Sequence, residues 1–163
     1  MDEFQRDIPA KQLLEMYSGM IYRIAFSRTQ NKADAEDITQ DVFLKYIKAD
    51  KKFKDEEHRK AWLLRVAINH TNDFVKSAHY RSRASLEEIP DSEIHIEEKS
   101  EVYYAVQSLP EKYRLVVHLF YYEDMSVAEI SKITKTKETT VKSQLSRARD
   151  MLREILKEAR YEL

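Results

Sequence analysis

Cysteine is absent from this chain, and glycine occurs once and proline three times in 163 residues. Without cysteine there are no disulfides and no thiolate metal sites, in keeping with a reducing compartment. So few turn residues argue against a β-rich architecture, and with 42% hydrophobic and 35% charged residues the expectation is an all-α fold. No segment approaches the ~18 uninterrupted apolar residues of a membrane span. The acidic amino terminus has no signal-peptide pattern, so the chain is expected to stay in the cytoplasm without membrane insertion. A strong net charge is also lacking, but the value of -1 hides an uneven distribution. Residues 85–101 carry seven acids against one lysine, whereas 137–153 carry five bases against two acids. The length suits one ordinary domain or two small ones.

The most informative stretch runs from Met125 to Leu152. Ser126 precedes Glu129 by three residues, the spacing of a capping box, which predicts a helix over Val127 to Ile133. A polar turn follows at Thr134 to Thr136, and a longer helix begins at Lys137. Its Val141, Leu145, Ala148, Leu152 and Ile155 share one narrow face, as a core-facing stripe requires. Thr139, Ser143, Ser146 and Arg147 lie opposite, flanked by Thr140, Lys142 and Arg149. Short hydroxyls and bases near the start of a second helix fit a helix-turn-helix reading base edges in a major groove. An antiparallel helical hairpin with a solvated face fits the same pattern.

Three helices are expected in the first part of the chain. The first, Ala10 to Thr29, is apolar along Leu13, Leu14, Tyr17, Met20, Ile21 and Ile24; Gly19 within it costs about 1 kcal/mol against alanine. After a break at Asn31 and Lys32, a second helix spans Ala33 to Ala49, with Asp34, Glu36 and Asp37 complementing its dipole. Ala35, Ile38, Val42, Tyr46 and Ala49 supply its core stripe. The far side carries Asp37, Gln40, Phe43, Leu44 and Ile47, a mixture suited to a partner surface or to a helix buried on both sides. Residues 50–60 read as a charged loop holding one aromatic, Phe53. The third helix, Arg59 to Ser77, buries Leu63, Val66, Ala67, His70 and Phe74, with Leu64, Ile68 and Val75 widening the arc. Its remaining strip, Trp62, Arg65, Asn69, Asn72 and Lys76, has the chemistry to stack on, hydrogen-bond and neutralise an unwound strand; an ordinary polar face is the alternative.

Residues 79–100 read as a flexible acidic linker between two small helical domains, 1–78 and 101–163. The second domain opens with a helix through Val102, Ala105, Val106 and Leu109, stopped by Pro110. The next helix, Glu111 to Tyr122, faces Tyr113, Val116, Val117 and Phe120 inward.

Four segments then carry a family resemblance: 34–43 (DAEDITQDVF), 61–69 (AWLLRVAIN), 109–114 (LPEKYR) and 140–149 (TVKSQLSRAR). In this order and spacing, over about residues 12–156, the chain closely resembles the bacterial extracytoplasmic-function (ECF, group 4) sigma factors of the sigma-70 family. The resemblance implies two helical domains, region 2 and region 4. It implies that Asp37, Gln40, Asp41, Phe43, Leu44 and Ile47 dock on the clamp of the beta-prime subunit of core RNA polymerase. It further implies that Phe53, Lys54, Arg59, Trp62, Arg65, Asn69, Asn72 and Lys76 capture the non-template strand of the minus-10 element, with Asn69 foremost in the helix. Lys137, Thr139, Thr140, Lys142, Ser143, Ser146, Arg147 and Arg149 would read the minus-35 element. The tyrosine-rich helix before them would help meet the beta flap, and the acidic linker would thread the polymerase near the RNA exit path. An anti-sigma factor is expected by family habit, and a monomer when free. The chain departs from the family in its turn, where Lys135 and Thr139 replace usual glycines and Lys137 and Glu138 replace commoner small or apolar residues.

A stand-alone helix-turn-helix regulator would use the last domain but leave the Leu44 face and the Trp62 strip unexplained. An enzyme is not expected, nor any cofactor or metal. His58, His70, His79, His95 and His118 lack metal-ligand spacing, and there is no glycine-rich phosphate loop.

Overall fold

Asn31 has the short polar side chain that helix starts favour, and its carboxamide accepts from the Asp34 amide at 2.8 Å. The same chemistry recurs at Asp55, whose carboxylate accepts from the His58 amide at 2.8 Å. These caps open two of the three helices of the first unit. The structure is a computed structural model that describes residues 8–77 and 101–161; the expected linker lies outside them. The described helices are α1 (Ala10–Thr29), α2 (Lys32–Ala49), α3 (Glu56–Lys76), α4 (Glu101–Gln107), α5 (Glu111–Val117), α6 (Val127–Thr134) and α7 (Glu138–Tyr161). Among the described residues there is no strand, so the all-α fold holds. None of these helices is long and apolar enough to cross a membrane. Chain contacts divide it into two compact units, Met1–Glu88 and Ile89–Leu163.

In the first unit α1, α2 and α3 each pack on the other two. Ile21, Ile24 and Phe26 from α1, Ile38 and Val42 from α2, and Leu63 and Ile68 from α3 form the buried centre. Each fully buried side chain of this size contributes ~1.5–3 kcal/mol. Several expectations need correction. Leu14 is 45% exposed rather than core. Lys32 already belongs to α2, because Gln30 takes the left-handed turn (φ 49) and Asn31 caps. Ala49, at the frayed end of α2, is exposed. α3 starts three residues earlier than the apolar pattern suggested, since Asp55 caps it and Glu56 and Glu57 suit its first turn. Val66, His70, Phe74 and Val75 are only partly buried, while Thr71 is fully buried, its hydroxyl donating to the Ala67 carbonyl.

In the second unit α7 packs on α4, α5 and α6. Val106, Leu109, Tyr113, Val117 and Ala148 make its core, with Met151, Leu152 and Ile155 packed against it. The Leu109 to Arg114 segment is a structural clasp: Leu109 and Tyr113 are buried, and the buried Arg114 guanidinium donates to the Leu109 carbonyl at 2.6 Å. The single helix expected to Tyr122 instead widens into a π turn over His118–Tyr122. Buried His118 meets buried Glu123 at 3.0 Å and stacks on Tyr122, which holds that turn. The capping box of α6 forms as expected, with both Ser126 and Glu129 bonds present. Lys135 ends α6 in the left-handed region (φ 56, ψ 40), donating its amide to the Ser131 carbonyl.

Candidate nucleic-acid and polymerase interfaces

All eight predicted residues are exposed, Lys137 just before α7 and Thr139, Thr140, Lys142, Ser143, Ser146, Arg147 and Arg149 on it, while Val141, Leu145 and Ala148 bury the other side. The turn that aims this helix is stitched by Ser131, whose hydroxyl donates to the Thr136 carbonyl at 2.6 Å and whose own carbonyl accepts from the Thr136 amide at 3.1 Å. Thr139, Thr140, Ser143, Gln144 and Arg147 line a polar cleft of ≈ 300 Å³ together with Lys112 and Tyr113 of α5. Lys112, whose ammonium lies 5.1 Å from the Tyr113 ring centroid, was not singled out in the sequence. Nor was Tyr121, whose hydroxyl accepts from Arg149 at 3.0 Å and fixes that guanidinium at the flank. Bases and hydroxyls on one exposed face suit phosphates and groove edges.

In the first unit the α2 face divides. Asp37, Gln40, Asp41, Leu44 and Ile47 are exposed, Leu44 by 51% and Ile47 by 64%. Phe43 is buried, so it supports this face from beneath and is not part of its surface. Asp41 is already engaged: its carboxylate lies 3.1 Å from His70 Nε2, and Lys45 Nζ lies 3.0 Å from the other ring nitrogen. Beside Leu44 and Ile47 runs a groove of ≈ 510 Å³, lined by Gln40 and Phe43 of α2, by Leu13 and Leu14 of α1, and by Ile8. Leu14 thus joins the apolar surface from a helix that the sequence offered only as core.

Along α3, Arg65, Asn69 and Lys76 are exposed and Trp62 is half-buried. Asn72 is partly buried and its carboxamide oxygen accepts from Arg28 of α1, which draws a base from another helix to the strip. Phe53 and Arg59 are both buried to 3% exposure, so neither presents itself to a strand. Phe53 stacks on Tyr46 and meets Trp62 edge-on, which pins the loop between α2 and α3. The pinned loop leaves Lys54 exposed, together with Lys51 and Lys52, which the sequence reading passed over. The signal was present there, an aromatic framed by lysines.

The Sigma-70 region 2 family model matches residues 13–81 and the Sigma-70, region 4 model matches residues 99–152. The chain is 31% identical over 151 residues to the ECF RNA polymerase sigma factor SigM of Bacillus subtilis (strain 168), covering 87% of this chain and 91% of that one. This chain belongs to the ECF sigma factors of the sigma-70 family. It is also 28% identical over 143 residues to RNA polymerase sigma factor SigV of the same organism, covering 81% of each. Its fold is similar to that of the sigma factor RpoE from Bartonella quintana, solved in complex with the anti-sigma factor NepR, at a TM-score of 0.69 and 24% identity over 90% of this chain and 96% of that one.

As an ECF sigma factor the chain is an alternative sigma factor that directs promoter-specific transcription initiation. Proteins of this class are transcription initiation factors that recognise DNA. The stand-alone regulator is not favoured, since region 2 is present alongside region 4.

Proposed function

We propose that this ECF sigma factor, of group 4, divides its work between the surfaces described, and that its domains run 1–78 and 101–163 with residues 79–100 as linker. Asp37, Gln40, Leu44 and Ile47 dock on the beta-prime clamp of core RNA polymerase, with Asp41 at the edge and Phe43 beneath. Lys54, Trp62, Arg65, Asn69, Asn72 and Lys76, joined by Lys51 and Lys52, meet the unwound minus-10 strand. Lys137, Thr139, Thr140, Lys142, Ser143, Ser146, Arg147 and Arg149 read the minus-35 element, and the helix through Tyr121 helps meet the beta flap. The observation that carries this division is the exposure of Leu44 and Ile47 beside acids and an amide, which a free surface helix has no reason to keep. An anti-sigma factor that masks these surfaces is the further partner, as NepR is for the Bartonella quintana protein. The factor works in the cytoplasm and is a monomer when free.

Titration of labelled core polymerase with the full chain and two variants tests this division. Leu44→Arg places a charge in an apolar contact and is expected to weaken core binding by at least about tenfold, leaving binding to minus-35 duplex intact. Arg147→Ala is expected to do the reverse. Loss of the same function by both variants would refute the division.

A further inference from the structure

Arg59 is a cation with almost no solvent contact, at 3% exposure. Burial of a guanidinium is unfavourable unless its donors are met, and here they meet groups on two helices. Its Nη1 donates to Glu56 at 2.5 Å on the first turn of its own helix. Glu56 in turn accepts from the Tyr17 hydroxyl of α1. The Arg59 Nε donates to the Tyr46 hydroxyl of α2 at 3.2 Å. The guanidinium carbon lies 5.4 Å from the centroid of the Phe53 ring, the aromatic that pins the loop. Phe53 is enclosed on its other sides by Tyr46, Trp62 and His58. The loop backbone is held as well, the Lys54 amide donating to His58 Nδ1 at 3.1 Å.

An apolar residue at position 59 would fill the space but would leave Glu56 and Tyr46 without this donor. Lysine puts a point charge on a flexible stem and lacks the pre-organised planar fork that spans both groups while lying over a ring. A planar cation therefore fixes the loop to α1, α2 and α3 together, while the loop's lysines face solvent. We propose that Arg59 is a positioning residue: it holds the Lys51–Lys54 loop in the shape that selects the minus-10 sequence, without touching DNA. This inference rests on the placement of that loop at the minus-10 strand under the proposed function.

The test is transcription by core polymerase reconstituted with full-length chain on a promoter library randomised across both elements, with transcripts sequenced. Arg59→Lys is expected to change base preference at one or more minus-10 positions by roughly fivefold, the scale of one lost hydrogen bond, with the minus-35 preference and core affinity unchanged. A merely structural role would lower output without altering the preference profile. Tyr46→Phe removes only the hydroxyl that Arg59 meets and keeps the aromatic cluster; it is expected to shift the same positions to a lesser degree. That variant decides the matter if Arg59→Lys fails to fold. An unchanged minus-10 profile in Tyr46→Phe and in a folded Arg59→Lys would overturn the proposal. Replacement of Lys51, Lys52 and Lys54 by serine separates the two ideas. If the serine variant alters the profile and the Arg59 and Tyr46 variants do not, the positioning role fails; if all leave it unaltered, the placement of the loop fails.

Discussion

Lys135 sits at φ 56 and ψ 40, a conformation that costs an L residue other than glycine roughly 1–2 kcal/mol. The lysine has not opened the turn. Ser131 holds it from both its hydroxyl and its carbonyl, so the strain is borne by local hydrogen bonds and the motif survives without the family's glycine. Lys135→Gly is therefore expected to stabilise region 4 by about 1 kcal/mol, raising the midpoint of its thermal transition by ~4–8 °C in circular dichroism. A lower midpoint would mean that the lysine side chain contributes something the backbone argument omits. Tyr17 makes a different point. Burial, with the Glu56 carboxylate as its hydrogen-bond partner, pushes its phenol well above the ordinary tyrosine value, so it remains a donor to Glu56 at any physiological pH.

The helices were largely legible in the sequence because their signals are local. The capping box at Ser126, the apolar stripe through Val141, Leu145 and Ala148, and the stop at Pro110 all act within a turn or two. Ser126→Ala removes one half of that box and is expected to destabilise region 4 by about 1 kcal/mol, measurable by urea unfolding. What the sequence concealed depends on which neighbour covers a side chain. Phe43 and Leu44 are adjacent and both large and apolar, yet one is covered and the other 51% exposed. Leu14 sits in an apolar stripe but at its uncovered edge. The family resemblance offers Phe53 and Arg59 as strand contacts, and only the packing of Tyr46 and Trp62 around them shows that they support the loop instead. The π turn at His118 was hidden for the same reason, since its buried partner Glu123 lies beyond the helix pattern. The seven predicted residues on α7 are readable because a surface helix displays its period directly.

Across the whole molecule the net charge is -1, so attraction to DNA is local to particular faces and not a property of the chain. Binding of the full chain to a minus-35 duplex is expected to weaken steeply with salt, and Arg147→Ala to flatten the slope of log K against log salt by about 0.9 if that guanidinium neutralises one phosphate. An unchanged slope with lower affinity would place Arg147 on a base edge instead. The central claim is that one chain supplies both a polymerase-docking surface and two promoter-reading surfaces. Its most direct test is the mapping of transcript 5′ ends on genomic DNA with core polymerase alone and with the chain added. New, discrete starts are expected that share one sequence near minus-35 and another near minus-10 and are lost with Leu44→Arg. New starts without shared elements, or no change on adding the chain, would contradict the claim.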